Sequence, residues 1–414
     1  MANEKDNDKN DDEAGTYFEV TVNGMPLNTM EEVTIREVIL GESLLTPGLQ
    51  TSIKVHSYLN TDFSKNFDNF KEKDVDIHIQ RKILGQPDSS RRVYEPDMYV
   101  NQKIYRLDNR KLINNQTEEF TLRACDITQL DDLATLVSKT WKCTPPSTIV
   151  EYVLRTCAGA RFLDIESSNY PRDYSADNIH PFQVVNQQAN YAIAGSDDPS
   201  FLHYMTYGLR REAIHHFRSL KYLSSQNPVI TYSYDETSNS YKNVDGIMTY
   251  SFPCDFDLMS DILNGVDSNG DDINSAIFFN PWMKSFSLMG SQITGCGLGA
   301  GVIKSAITNM NSAKGQDMCP DYGNIFLLKR QARMSVLNRD KIALRMTVPF
   351  NTVLHAGKVI EVNLYNKTNS GLNNLLYGSG KYLIVSMFHQ ILEGGLATTT
   401  MECVSQTAGQ KGIV

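Results

Sequence analysis

The sequence predicts a mainly β fold of the α+β kind: two antiparallel β-barrels with a mixed α/β domain inserted between them. Three observations predict it. Apolar and polar residues alternate with period two at both ends of the chain. Clusters of Gly, Asn and Pro separate these runs at short spacing, as the turns of small barrels do. Between the two ends, apolar residues recur instead with a helical period. A chain of 414 residues is long enough for several compact domains.

Residues 1–15 are expected to form a disordered acidic tail. Met1–Glu13 holds six acids against Lys5 and Lys9, so it carries −4 of the net charge of −9. Its only apolar side chains are Met1 and Ala2, too little to bury. The first barrel is expected over 16–128. Its strands are Tyr17–Val22, Glu32–Leu40, Leu49–Leu59, Val75–Leu84, Met98–Leu107 and Glu118–Ala124, with polar separators that include Asp108–Gln116.

The mixed domain is expected over 129–228. Thr148-Ile-Val-Glu151 has the spacing of a capping box. Ile149, Val150, Val153, Leu154 and Cys157 follow on one helical face. A second helix is expected to open at His180–Pro181, where proline suits the first turn. Its stripe is Phe182, Val185, Ala189 and Ile193. Short strands are expected at Phe201–Tyr207 and Ala213–Arg218.

The second barrel is expected from 229–250 and 322–406. Residues 251–321 would be an insertion packing with the mixed domain, and 407–414 a C-terminal tail. Met259–Asn264 reads as a short helix. A longer helix is expected at Gly323–Asn338, with Ile325, Leu328 and Ala332 on one face. Lys329, Arg330, Arg333 and Arg339 lie off that row or near its end, where the helix dipole favours cations. Strands follow at Ile342–Val348, Lys358–Tyr365, Lys381–Gln390 and Thr398–Ser405. In the first two, Arg345, Thr347, Glu361 and Asn363 oppose a dry face. That dry face is expected to pack on the helix, and the polar face to meet a lumen or a neighbouring subunit. The two barrels are expected to be separate and superposable, without one continuous sheet.

No catalytic, cofactor-binding or metal-binding residue is assigned. The run Gly295–Lys304-Ser305 is rich in glycine, but Val302 and Ile303 separate the last glycine from the lysine, and a phosphate loop needs them adjacent. Asp267–Asp272 resembles a calcium loop, with glycine at position four where six is needed and Phe278 where an acid is needed. Adjacent His215 and His216 on a strand face opposite sides and cannot easily share a metal. His389, in an apolar strand, reads as a satisfied core histidine. Asp131–Asp132 and Asp197–Asp198 read as a linker and a helix or turn start. Seven cysteines with no C-x-x-C pair read as reduced core thiols. Neither a secretory signal nor a membrane span of ~20 apolar residues is expected. The acidic balance argues against dedicated DNA binding by phosphate neutralisation.

Two stretches carry a resemblance. The first is Asn351–Asn366 followed by Gly380–Gln406, with Leu354, Gly357, Ile360, Val362, Tyr382, Val385 and His389 at matching spacing. The second is Phe217, Arg218, Ser219, Leu220 and Leu223 leading into Val229–Tyr234. In this order they resemble the central baseplate hub proteins of T-even-type contractile-tailed phages, whose chains hold two tail-tube-like barrels. The resemblance implies a structural virion protein of the tail baseplate, assembled in the host cytoplasm, with no enzymatic activity and no cofactors. It implies a homotrimer joining a sixfold tail tube, or a tube-initiator protein, to a threefold central spike. Wedge and other baseplate proteins would surround it, and genomic DNA would pass its lumen without specific binding. The alternative is an extracellular or virion carbohydrate-binding β-protein with possible hydrolase activity. A third reading is a tube-like adaptor of a related injection machine.

Deleting residues 1–14 should leave the melting temperature within about two degrees of the full chain, because so polar a segment buries almost nothing. Differential scanning calorimetry checks this, and a large drop would show that the tail packs on the body.

Overall fold

A computed structural model describes residues 15–59, 70–71, 73–82, 97–196, 198–208, 212–234, 246–255, 257, 259, 275–280, 285–290, 308–309, 327–338, 341–367, 373–375 and 378–405. The expected tails, the glycine-rich run 295–305, Asp267–Asp272, Asp197 and the start of the Gly323–Asn338 helix lie outside the described residues, as does all but Met259 of the Met259–Asn264 helix.

The N-terminal part is built from β1 (Gly15–Val22), β2 (Met25–Pro26), β3 (Val33–Ser43), β4 (Gln50–Tyr58), β5 (Asp74–Lys82), β6 (Met98–Leu112) and β7 (Thr117–Cys125). In β4, Thr51, Ile53, Val55 and Ser57 are buried and their neighbours are not, as period-two alternation requires. β6 is longer than expected. It runs through Asp108–Leu112, because these polar residues pair with β7 as an outer ribbon.

The chain then forms α1 (Ile127–Ala134), β8 (Val137–Thr144), α2 (Pro146–Tyr152), β9 (Phe162–Ile165), β10 (Arg172–Ile179), α3 (Pro181–Tyr191), β11 (Phe201–Thr206), β12 (Ile214–Ser219) and α4 (Leu220–Ser224). The capping box lies elsewhere than expected. Asp126 and Gln129 form it at α1, while Thr148 sits inside α2, which starts at Pro146 without a side-chain cap. Spacing alone cannot tell the first residue of a helix from the third. Asp131–Asp132 is no linker. Both residues lie in α1, and buried Asp132 accepts the Phe182 N–H at 2.6 Å, capping α3 from a distance.

The C-terminal part holds β13 (Thr231–Tyr234), β14 (Thr249–Ser251), a small sheet of β15 (Ser275–Asn280), β16 (Ser285–Gly290) and β17 (Thr308–Asn309), then α5 (Leu327–Met334), β18 (Leu344–Pro349), β19 (Val359–Lys367), β20 (Asn373–Leu375), β21 (Gly380–Leu392) and β22 (Ala397–Val404). β14, β18, β22, β21, β19 and β13 follow one another round a small barrel, which closes through the Ser233–Gly246 bridge. Its interior holds Tyr232, Leu344, Met346, Ile360, Val362 and Tyr382. The dry faces of β18 and β19 therefore pack on each other and not on the helix. Leu337, just past α5, instead meets Val359, Leu383 and Val385 on the outside of this barrel. The expected packing failed because a barrel encloses its own apolar face, leaving the opposite face for a helix.

The two sets of strands are not separate sheets. One continuous sheet of 14 strands runs through both, and this corrects the expectation. The cause is β21, whose 13 residues exceed what one small barrel uses. Its Gly380–Leu383 half pairs with β19, a bulge follows between Ile384 and Ser386, and Ser386–Leu392 pairs with β3. A bulge raises local twist, which turns the second half towards the other barrel. The β21–β22 turn then reaches β1, where the Thr16 N–H donates to the Gly395 carbonyl at 3.2 Å. Gly395 has φ +83, and a Cβ there would lie 2.9 Å from the Thr16 carbonyl oxygen, so only glycine fits. Ile391 and Phe350 thus enter the N-terminal core, which is continuous with the core under α2 and α3.

Glu42 locks the three parts together. Fully buried on β3, it accepts the Tyr207 N–H after β11 at 2.8 Å, the His355 Nδ1–H at 3.0 Å and the Ala356 N–H at 2.8 Å. Burial pushes its pKa up, but His355 and the two backbone donors outweigh that and hold it below the usual carboxylate value. Glu42→Gln should destabilise the chain by about 3 kcal/mol at neutral pH, because a buried donor loses its partner. A depressed carboxyl contributes fully above the unfolded value and loses that contribution as pH falls through the folded one. Urea titrations should therefore show the wild-type advantage shrinking below about pH 4.

Candidate functional site

The middle of the chain concentrates the titratable groups. His215 and His216 face opposite sides of β12, as alternation requires. Buried His215 lies 3.3 Å from His203 on β11 and 3.1 Å from Thr128 Oγ1, and Thr128 donates to Asp126 at 2.5 Å. A hydroxyl, an imidazole and a carboxylate thus meet, but in the wrong order for nucleophilic catalysis. The acid accepts from the hydroxyl, and the other imidazole nitrogen faces a second histidine and not the acid. Phe182 covers both rings edge-on. Burial lowers His215 to about 3 and His203 well below its ordinary value, while it raises Asp126. The cluster is a buried polar packing element joining α1 to the β11–β12 sheet.

On the other face, His216 Nδ1 and Arg218 both bind Asp164 on β9. His216 and then Arg218 hold the Asp164 carboxyl far below its usual range despite its part-burial. Asp198, also buried, accepts from the Ser200 hydroxyl at 2.8 Å and the Lys221 N–H at 3.1 Å. From α5, Arg333 approaches Asp198 to 3.4 Å, and Arg330 donates to the carbonyls of Pro199 and Phe201. These arginines fasten α5 to the middle of the chain, a role that helix-dipole reasoning misses. His389 is fully buried, with Nδ1 2.7 Å from Thr399 Oγ1 and Phe350 packed edge-on. Nε2 has no hydrogen-bond partner among the described residues, so the ring is only half satisfied.

Among the described residues, no group of three or more His, Cys, Asp or Glu is placed to hold a metal ion, and no helix is long and apolar enough to cross a membrane. Trp141 is buried against Tyr174 and Tyr152, with Lys139 3.5 Å above the Tyr152 ring and Arg172 3.5 Å above that of Tyr191. Cys125, Cys157 and Cys403 are free thiols, and burial raises all three. Cys143 is disulfide-bonded, which corrects the expectation of reduced thiols throughout, since sequence spacing does not show which cysteines meet.

The feature most open to a partner is a sheet edge. β5 pairs with β6 only over Met98–Lys103, and beyond Ile104 only β7 accompanies it. Among the described residues, Tyr105–Asn109 has no strand on that side. Beside this edge lies a groove of about 720 Å³ between β6 and α1, lined by Ile104, Tyr105, Ile127, Leu130 and Leu133 with Lys71 and Lys103. Tyr105 is 52% exposed and Leu133 70%. Exposed apolar side chains beside a strand edge are features that proteins commonly cover or charge. The sequence reading placed the contact surface instead on Arg345 and Glu361. Arg345 is exposed but spent on Glu402, and Glu361 is half-buried against Thr231.

No protein-family model matches the sequence, and no curated protein matches it either. Solved structures do match the fold. A tail protein from Neisseria meningitidis is similar at TM-score 0.54 and 10% identity, over 96% of this chain and 99% of its own. The 43 kDa tail protein of prophage MuSo2 from Shewanella oneidensis is similar at TM-score 0.54 and 8% identity, over 94% of this chain and 98% of its own. The chain therefore has the fold of phage tail proteins, as the resemblance in its sequence implied. The residues that carried the resemblance are core positions. Leu354, Ile360, Val362, Tyr382, Val385 and His389 are buried, and Gly357 has φ +84 against the Tyr204 ring.

Burial lowers His389 to about 4, while the ring protonates near 6.5 once the chain unfolds. A depressed imidazole is neutral when folded, so stability is lost as pH falls from about 6.5 towards 4. For His389 the loss is on the order of 3 kcal/mol. His389→Gln should flatten that part of the pH profile, as read by urea titrations between pH 7 and pH 4 (both roughly chosen from the values above).

Proposed function

We propose that this chain is a structural protein of a tail baseplate, forming the central hub ring. Three copies close the ring. Each contributes two barrels, one over 16–128 and one from 229–250 and 322–406, with the mixed domain 129–228 and the insertion 251–321 on the outside. Six barrels give the ring approximate sixfold symmetry, matching a tail tube on one face and a threefold spike on the other. The lumen passes DNA without binding it specifically, and wedge proteins meet the outer surface. The chain does no catalysis. It converts one symmetry into another and carries load.

The observation that carries this reading is the whole-length likeness of fold to two tail proteins of almost equal length. Three features support it. The chain has two barrel bodies, which a symmetry adaptor needs. The sheet linking them is continuous, so force passes along hydrogen-bonded ladders and not through a hinge. The β6 edge and its groove suit a contact between copies.

Sedimentation velocity of the full chain should give a trimer at tens of micromolar (a roughly chosen concentration, far above the Kd of ordinary specific contacts). Tyr105→Lys with Leu133→Glu should give a monomer with unchanged melting, because both side chains are exposed. A strict monomer in the wild type would overturn the ring, and a double variant that stays trimeric would remove the β6 edge from it.

A further inference from the structure

A second groove lies where α4, α5 and the C-terminal barrel meet. It encloses about 290 Å³. Its floor is aliphatic: Leu220, Val359 and Val404 are buried, and half-buried Val336 closes one side. Three cations stand round it, each from a different element: Lys221 on α4, Arg333 on α5 and Lys381 on β21. All three are exposed. Arg333 has one acid within reach among the described residues, Asp198, which is buried behind it and already holds the Lys221 N–H and the Ser200 hydroxyl. Lys221 and Lys381 make no ion pair among the described residues. The groove is thus apolar below and cationic at its rim, with Asp198 behind Arg333 and Glu361 opposite Lys381 in the β19–β21 ladder.

The contact with Asp198 accounts for Arg333 but not for the two lysines beside it. Three like charges converging on one groove repel one another. A ligand that brings carboxylates to the rim and aliphatic side chains to the floor would relieve the repulsion and bury the exposed apolar surface. We propose that the groove binds an extended segment of a partner protein in which acidic and aliphatic residues alternate. Alternation follows from the geometry, since successive side chains of an extended chain point to opposite sides, one towards the floor and the next towards the rim. Because the walls belong to α4, α5 and β21, such a segment would also pin the middle of the chain to the C-terminal barrel. The site does not depend on the ring or on the β6 edge.

The probe is a fluorescein-labelled peptide alternating Glu and Leu, titrated into the full chain by fluorescence anisotropy. Saturable binding is expected, weakening with added salt. Lys221→Glu with Lys381→Glu should weaken it by at least about tenfold while the chain stays folded by circular dichroism. Ser224→Trp, which fills the groove from an exposed position without removing a cation, should weaken it too. A Lys–Leu peptide and a Glu–Ser peptide should both fail to bind, the first because its cations are repelled by the rim and the second for want of an aliphatic face. No binding of the Glu–Leu peptide, or equal binding to the charge-reversed variant, would overturn the proposal. It would also fall if charge reversal changed the oligomeric state of the chain alone, which would make the occupant a second copy. Peptide binding seen only after deletion of residues 1–14 would overturn it as well, by showing that the chain's own acidic tail occupies the groove.

Discussion

Glu42 is a single carboxylate with no access to water, and it reaches all three parts of the molecule at once. Its two oxygens accept from the backbone after β11, from His355 and from the backbone of Ala356. A buried carboxylate without such donors would unfold its surroundings or take up a proton. With them, it forces β3, the end of β11 and the loop before β19 to a fixed distance. Nearby contacts follow from that distance. Leu44, two residues along the chain, packs into the same apolar layer as Tyr204, Ala356 and Val385. Gly357, one residue beyond Ala356, is held so close to Tyr204 that a Cβ would lie 2.6 Å from the ring hydroxyl.

β21 works on the same joint by other means. A strand that pairs with β19 along one half and β3 along the other makes the two barrels parts of one ladder. Sheet hydrogen bonds are short and directional, so a relative rotation of the barrels would break several together. The arginines of α5 add a third tie, to the carbonyls of Pro199 and Phe201. A structure tied in this way transmits force better than it changes shape. That suits the proposed load-bearing ring better than a gated enzyme.

The histidines show how easily chemistry can be read into packing. All eight are buried or half-buried and hydrogen-bonded, and three are fully enclosed: His203, His215 and His389. The most enzyme-like group, Thr128 with His215 and Asp126, has the hydroxyl between acid and imidazole and is covered by Phe182. Burial lowers the pKa of His203, His215 and His389, so these three behave as polar packing elements whose protonation opposes folding.

The sequence by itself determined most strands of the N-terminal part and of the C-terminal barrel, the β11 and β12 strands and the helix at Pro181, with their apolar faces. Those properties are local: alternation and caps act over a few residues, and the backbone must satisfy its own hydrogen bonds wherever it goes. It also carried the likeness to tail proteins, because residues such as Leu354, Ile360 and Tyr382 are spaced by the barrel they fill. The tertiary structure decided which edges meet. Nothing local in Gly380–Leu392 says that its two halves pair with different barrels, since pairing depends on which partner edge is brought near. Nor does Glu42 announce its role, because its donors lie more than 160 residues away in the chain. The edge at Tyr105–Asn109 was hidden for the same reason: a strand reads the same from its side chains whether or not a neighbour covers it.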